Sequence, residues 1–130
     1  MSNRIRFAFV KVFVDNIEKQ AAFYRAAFGM VEKNRLTVGE GFDAVEEIIL
    51  TSGRGDDSSL IVWRYIERAT PPPGEAVLGF DVPDVEAAVR AVEAAGGTVD
   101  TPIDRMPDLG FAVAFVKDPE GHLIEIAQSL

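Results

Sequence analysis

Residues 14–29 read VDNIEKQAAFYRAAFG, and residues 82–97 read VPDVEAAVRAVEAAGG. Laid over one another with a shift of 68, five of the 16 positions are identical: Val14 meets Val82, Glu18 meets Glu86, Ala26 and Ala27 meet Ala94 and Ala95, and Gly29 meets Gly97. In the first stretch Ile17, Ala21, Tyr24 and Phe28 form the stripe of a helix packed on one face, and in the second Val85, Val89 and Val92 do the same. Asp15 or Asn16, and Asp84, stand where a side-chain oxygen caps the first turn, and glycine follows each last turn. A repeat whose helix stripes coincide points to a duplicated module.

Working outward, residues 5–14 are β-branched and aromatic and end at Asp15-Asn16, which predicts a strand. Val31–Val38 and Phe42–Leu50 read as strands around the turn Gly39-Glu40-Gly41. The polar run 53–59 is a loop, and Leu60–Tyr65 is another strand. In the second half Ala76–Val82, Thr98–Ile103, Phe111–Lys117 and His122–Gln128 read as strands, and Asp118-Pro119-Glu120-Gly121 fits a tight turn. A second shift, of 63, lays Leu60-Ile61 on Leu123-Ile124. Each half is therefore strand–helix–strand–strand–strand, an α+β organisation. Residues 69–74, with Pro71, Pro72 and Pro73, continue neither a strand nor a helix. They divide a first module, 1–68, from a second, 75–130, within one domain.

Composition bounds the function. The chain has 130 residues, 48% of them hydrophobic, enough for an ordinary packed core. Lys and Arg total 13 against 21 Asp and Glu, a net charge of −8. Phosphate backbones and anionic bilayers need clustered cations, so neither a nucleic acid nor a membrane is expected as a partner. The absence of cysteine excludes disulfides, a thiol nucleophile and thiolate metal sites, and fits a cytoplasmic protein. No run approaches the roughly 20 apolar residues of a membrane span. The basic start ahead of Phe7–Val14 is not read as a leader, because Lys11 interrupts the run and no small-residue cleavage site follows. With His122 the one histidine, a multi-histidine zinc site within the chain is excluded.

Val14-Asp15-Asn16-Ile17-Glu18 leading to Phe23-Tyr24 and Phe28-Gly29 resembles the first module of the vicinal oxygen chelate superfamily. Gly79–Val85, Gly96-Gly97 and the closing Asp118-Pro119-Glu120-Gly121-His122-Leu123-Ile124-Glu125-Ile126 resemble its second. That superfamily includes glyoxalase I, extradiol dioxygenases, fosfomycin-resistance enzymes, methylmalonyl-CoA epimerase and bleomycin-binding proteins. The resemblance implies two βαβββ modules forming a curled mixed sheet around a ligand cup, usually within a homodimer. In the metalloenzymes of the superfamily four quasi-symmetric side chains hold one divalent ion. The resemblance places these positions at Phe9, Val62, Val77 and Glu125, so one carboxylate stands where several donors are needed. No metal and no cofactor is expected there.

Strand alternation then fills in the cup. If position 9 faces in, so do Phe7, Lys11 and Phe13, while Ala8, Val10, Val12 and Val14 pack on the helix. The same parity brings in Glu75, Val77, Gly79 and Asp81, then Leu60, Val62 and Arg64, then Leu123, Glu125 and Ala127. Glu125 is expected either to pair with Lys11 or Arg64, or to act as general base or ligand anchor. Glu46 and Glu47 point to opposite faces and cannot form one dyad. His122 is expected as a half-exposed turn residue away from Glu125. The expectation that results is a small-molecule binder of the superfamily, taking a largely apolar or aromatic ligand against Phe7, Phe9, Lys11, Phe13, Val62, Arg64 and Val77. The alternative is a lyase or isomerase, glyoxalase-like or dioxygenase-like, with Glu125 as catalytic base or metal ligand. A third reading is an interaction subunit whose cup is filled by its own side chains.

Overall fold

A computed structural model describes residues 5–55 and 57–130. The basic start and Asp56 of the polar loop lie outside them. The order of elements is β1 (Phe9–Phe13), α1 (Ile17–Phe28), β2 (Val31–Val38), β3 (Val45–Thr51), β4 (Ser59–Tyr65), then β5 (Val77–Asp81), α2 (Val85–Ala94), β6 (Thr98–Met106), β7 (Phe111–Lys117) and β8 (Leu123–Ser129). Single 3-10 turns cover Gly41–Asp43 and Pro107–Leu109. The first strand begins at Phe9 rather than Ile5, and the third begins three residues later than Phe42, because that 3-10 turn precedes it.

Each module forms its own four-stranded mixed sheet, in the orders β1-β4-β3-β2 and β5-β8-β7-β6. The first strand of each runs parallel to the last, and the other pairings are antiparallel. No ladder joins β1 to β5, so the curl is made of two sheets and is not closed. Asn16 caps α1 by accepting from the Lys19 N–H at 3.1 Å, and Gly29, at φ 67°, ends it. Asp84 caps α2 through the N–H groups of Glu86 and Ala87.

Both helices lie on one side of the sheets and touch each other, which merges the two modules into a single core. Val12, Val14, Tyr24, Val62, Val85, Val92, Ile124 and Ile126 all belong to it. The rings of Phe28 and Phe80 stack across the modules with centroids 3.9 Å apart and planes 6° from parallel. Such a pair adds about 0.5–1.5 kcal/mol beyond its buried area.

A polar staple crosses the same boundary. The Glu120 carboxylate accepts from the backbone N–H groups of Asp15 and Asn16, at 2.7 and 2.8 Å. The buried Asp118 carboxylate accepts from Gln20 Nε2 at 2.7 Å and Tyr24 Oη–H at 2.6 Å. It also takes the N–H groups of Glu120 and His122 and lies 2.8 Å from His122 Nδ1. His122 Nε2 is 2.9 Å from the Phe13 carbonyl. Burial accordingly replaces the half-exposed placement expected for this histidine: it is 8% exposed.

Both partners of that ring are acceptors, so the site favours the protonated imidazole, in which both nitrogens donate. Desolvation pulls its pKa down, but the hydrogen bond and charge of Asp118 and the Phe13 carbonyl outweigh that and leave it raised. Desolvation likewise works against the Asp118 carboxylate, and its bonds from His122 and Tyr24 hold its pKa below the usual value. Tyr24 is pushed well up by burial and by the Asp118 charge. A raised histidine pKa gives stability that is fully present below the unfolded value, about 6.5, and is lost as pH rises through the folded value. Calorimetry from pH 5 to pH 9 should therefore show the wild-type melting temperature falling relative to His122→Gln as the pH passes neutrality. Parallel profiles for the two proteins would mean that His122 is not held charged.

Candidate functional site

The sides of the sheets away from the helices are open, and strand period decides what stands on them. On β1 Phe9, Lys11 and Phe13 face this side, with Phe9 51% exposed, while Val10, Val12 and Val14 turn to the core. On β5 Val77, also 51% exposed, Gly79 and Asp81 face it, and Leu78 and Phe80 pack on the core. On β8 Leu123, Glu125 and Ala127 face it, while Ile124 and Ile126 are fully buried behind. Phe7 lies ahead of β1 and is 73% exposed.

Strand β4 has the opposite parity to the one expected. Val62 is completely buried in the helix-side core, next to its register partners Val12 and Ile48. Arg64 shares that parity and pairs with Glu46 at 3.1 Å. Neither residue is on the open face, which instead carries Ile61, Trp63 and Tyr65. The parallel ladders give the reason. Phe9 pairs with Ser59, and its counterpart Val77 pairs with Leu123, so β4 maps onto β8 with a shift of 64 rather than 63. One residue of slip turns every side chain over. The counterpart of Glu125 is thus Ile61.

The open face of the first module is an aromatic bed. Phe13 lies 5.5 Å from Trp63 and 5.4 Å from Tyr65 between centroids, stacked on the latter at 21°. Lys11 Nζ sits 4.5 Å above the Trp63 ring and 5.6 Å from that of Phe9, and it forms a 2.8 Å ion pair with Glu47. The Arg68 guanidinium covers Tyr65 at 4.3 Å and pairs with Asp43 at 3.1 Å. Sequence reasoning missed Trp63, Tyr65 and Glu47. The signal for Glu47 was present, since one member of the adjacent pair Glu46-Glu47 had to turn onto this face.

Lys11 is held by Glu47 and Arg64 by Glu46, so neither pairs with Glu125. Among the described residues Glu125 has neither an ion pair nor a hydrogen bond to its carboxylate. It stands half-buried between its register partners Gly79 and Phe115. The four quasi-equivalent positions are Phe9, Ile61, Val77 and Glu125, a single donor among three apolar side chains. No group of three or more His, Cys, Asp or Glu side chains able to hold a metal occurs among the described residues. A divalent ion requires several such donors, so these residues do not fit one.

The unpaired edges of β1 and β5 flank a seam with a cavity at each end. One, of about 470 Å3, lies between Lys11, Phe13, His122 and Glu75 under Pro71–Pro73. The other, of about 620 Å3, is walled by Phe7, Val10, Met30, Leu60, Leu78 and Phe80 and reaches Val77, Gly79 and Asp81.

The model of the Glyoxalase/Bleomycin resistance protein/Dioxygenase superfamily matches residues 6–126. No curated protein sequence matches. Among solved structures, a glyoxalase family protein from Bacillus cereus superposes with a TM-score of 0.83 at 18% identity, covering 99% of this chain and 97% of that one. A glyoxalase I variant from Zea mays gives 0.76 at 18% identity over 93% of this chain and 46% of that one. TioX from Micromonospora sp. ML1 gives 0.68 at 22% identity over 96% and 99%. At these identities the likeness concerns the fold alone.

The buried Glu47 carboxylate is paired with Lys11 at 2.8 Å. Lys11→Met should destabilise the fold by roughly 2 kcal/mol, less than for a fully buried pair because the lysine is one-third exposed. Adding Glu47→Leu should recover most of the loss. Denaturant unfolding of the two variants checks this; an equal loss in both would show that the pair is not coupled.

Proposed function

This chain belongs to the Glyoxalase/Bleomycin resistance protein/Dioxygenase superfamily, and from that premise we propose that it binds a small, largely apolar or aromatic molecule on its open face without a divalent metal. The observation that carries this reading is the lone, unpartnered Glu125 among Phe9, Ile61 and Val77. Phe7, Phe9, Lys11, Phe13 and Val77 supply apolar and cationic contact surface, and Trp63 and Tyr65 replace Val62 and Arg64 in that role. Glu125 anchors the ligand by accepting a hydrogen bond. A half-buried carboxylate without a partner does nothing for stability, so its place on this face is better explained by what binds there.

The exposed apolar side chains Phe7, Phe9 and Phe42 support a homodimer in which a second copy covers part of this surface. The cysteine-free composition, with no described helix long and apolar enough to cross a membrane, supports a cytoplasmic location.

A second reading makes the chain a lyase or isomerase with Glu125 as general base. It is favoured by the same freedom of the carboxylate, since a base must be able to take a proton from substrate. Glu125→Gln separates the two, because the amide oxygen still accepts a hydrogen bond but takes up no proton.

Isothermal titration of the purified chain with 2-naphthol, an aromatic probe with one hydroxyl, tests the first reading. Binding should be the same before and after treatment with a strong chelator, and Glu125→Gln should retain it within about tenfold. Binding that disappears with the chelator and returns with zinc or nickel would contradict it.

A further inference from the structure

Of the eleven glycines, Gly79 is the one that lies inside a strand. Eight of the others adopt positive φ, where side chains are disfavoured. Gly55 is in the polar loop. Gly97 lies where a Cβ would come within 2.6 Å of both the Lys117 carbonyl oxygen and Val92 Cγ1. None of these reasons applies to Gly79. A Cβ there would meet nothing within 4 Å, and β5 pairs with β8 without a shift from Val77 to Asp81, so there is no bulge. Glycine weakens the interior of a strand, and where no bulge or bend explains it, it marks a close approach by something else.

We propose that the bare backbone at Gly79 is a ligand slot that admits a flat ring carrying an O–H or N–H group, which donates to Glu125. This rests on the reading of the open face as a binding surface and names the ligand class. The neighbours on the same face, Val77 and Asp81, are each two residues away, about 6.6 Å along the strand. The gap is therefore one side chain wide. It takes a planar ring, with contacts at about 3.5 Å on each side, and rejects a puckered bicycle.

Glu125 is the register partner of Gly79, and its other flank is held by Phe115. A ring in the slot thus meets the unpartnered carboxylate edge-on, while the rest of the molecule extends into the 620 Å3 cavity beside Phe7 and Phe80. The shift of 68 places Lys11 at the same point of the first module, and its side chain, tied to Glu47 and lying over Trp63, fills that half. One of two equivalent positions is closed by the chain itself and the other is left open.

The test is amide 1H–15N NMR of the full chain with three probes: 2-naphthol, decahydro-2-naphthol, which has the same skeleton and hydroxyl but is puckered, and 2-methoxynaphthalene, which cannot donate. 2-Naphthol should shift the Gly79 amide, and each of the other probes should bind about tenfold more weakly. Gly79→Val should not lower the melting temperature, since a Cβ there meets nothing within 4 Å and valine is the better strand former, and it should weaken 2-naphthol about tenfold, with Gly79→Ala in between. Equal affinity for the flat and puckered alcohols, or unchanged 2-naphthol binding in Gly79→Ala, would overturn the slot and leave the binding face standing. A wild-type chain that binds none of the three probes would overturn the reading on which the slot rests.

Discussion

The parallel pairing of Phe9 with Ser59 and of Val77 with Leu123 decides which side chains meet the open face. Everything distinctive about that face follows from these two registers and the period of two. Slipping β4 by one residue would move Leu60 and Val62 out of the core and bring Ile61 and Trp63 in. Forcing the larger Trp63 into the space that Val62 fills would cost about 1–3 kcal/mol by overpacking, and that disfavours the slipped register. The two helices and the Phe28–Phe80 stack hold the sheets at one angle, and the Asp118–His122 staple ties the turn before β8 to the end of β1.

With the registers set, the charges sort themselves. Lys11 goes to Glu47, Arg64 to Glu46 and Arg68 to Asp43. Three cations within or beside the first sheet are thus consumed locally, and the second sheet's Glu125 has no ion pair among the described residues. The metal-binding arrangement that the sequence resemblance implies would take donors from both modules. Here the first module contributes aromatic and aliphatic carbon in their place, with two cations lying over the rings rather than lone pairs pointing at an ion.

The repeat, both helices and all eight strands were legible because each rests on local periodicity and on caps within a few residues. The parity of β1 was legible too, since Val10, Val12 and Val14 alternate with larger or charged residues. The parity of β4 was not. Leu60-Ile61-Val62-Trp63 is apolar on both faces, so alternation carries no signal, and a two-residue match gave the shift as 63 where the ladders require 64. His122 was misplaced for another reason. Its partners are a carbonyl oxygen 109 positions away and a carboxylate at the start of a turn, and a backbone acceptor leaves no trace in sequence. Of the two roles the sequence leaves open for Glu125, the pairing with Lys11 or Arg64 is not found, because Glu47 turns onto the open face and takes Lys11 while Arg64 pairs with Glu46.

We propose that Glu125 stands on the open face without a metal and without an internal partner. Crystals of the chain, purified without chelator and measured above and below the iron, nickel and zinc absorption edges, test it directly. No anomalous peak should lie in coordinating contact with Glu125, and no cationic side chain should lie on its carboxylate. A peak bonded to that carboxylate at any of the three edges would contradict it.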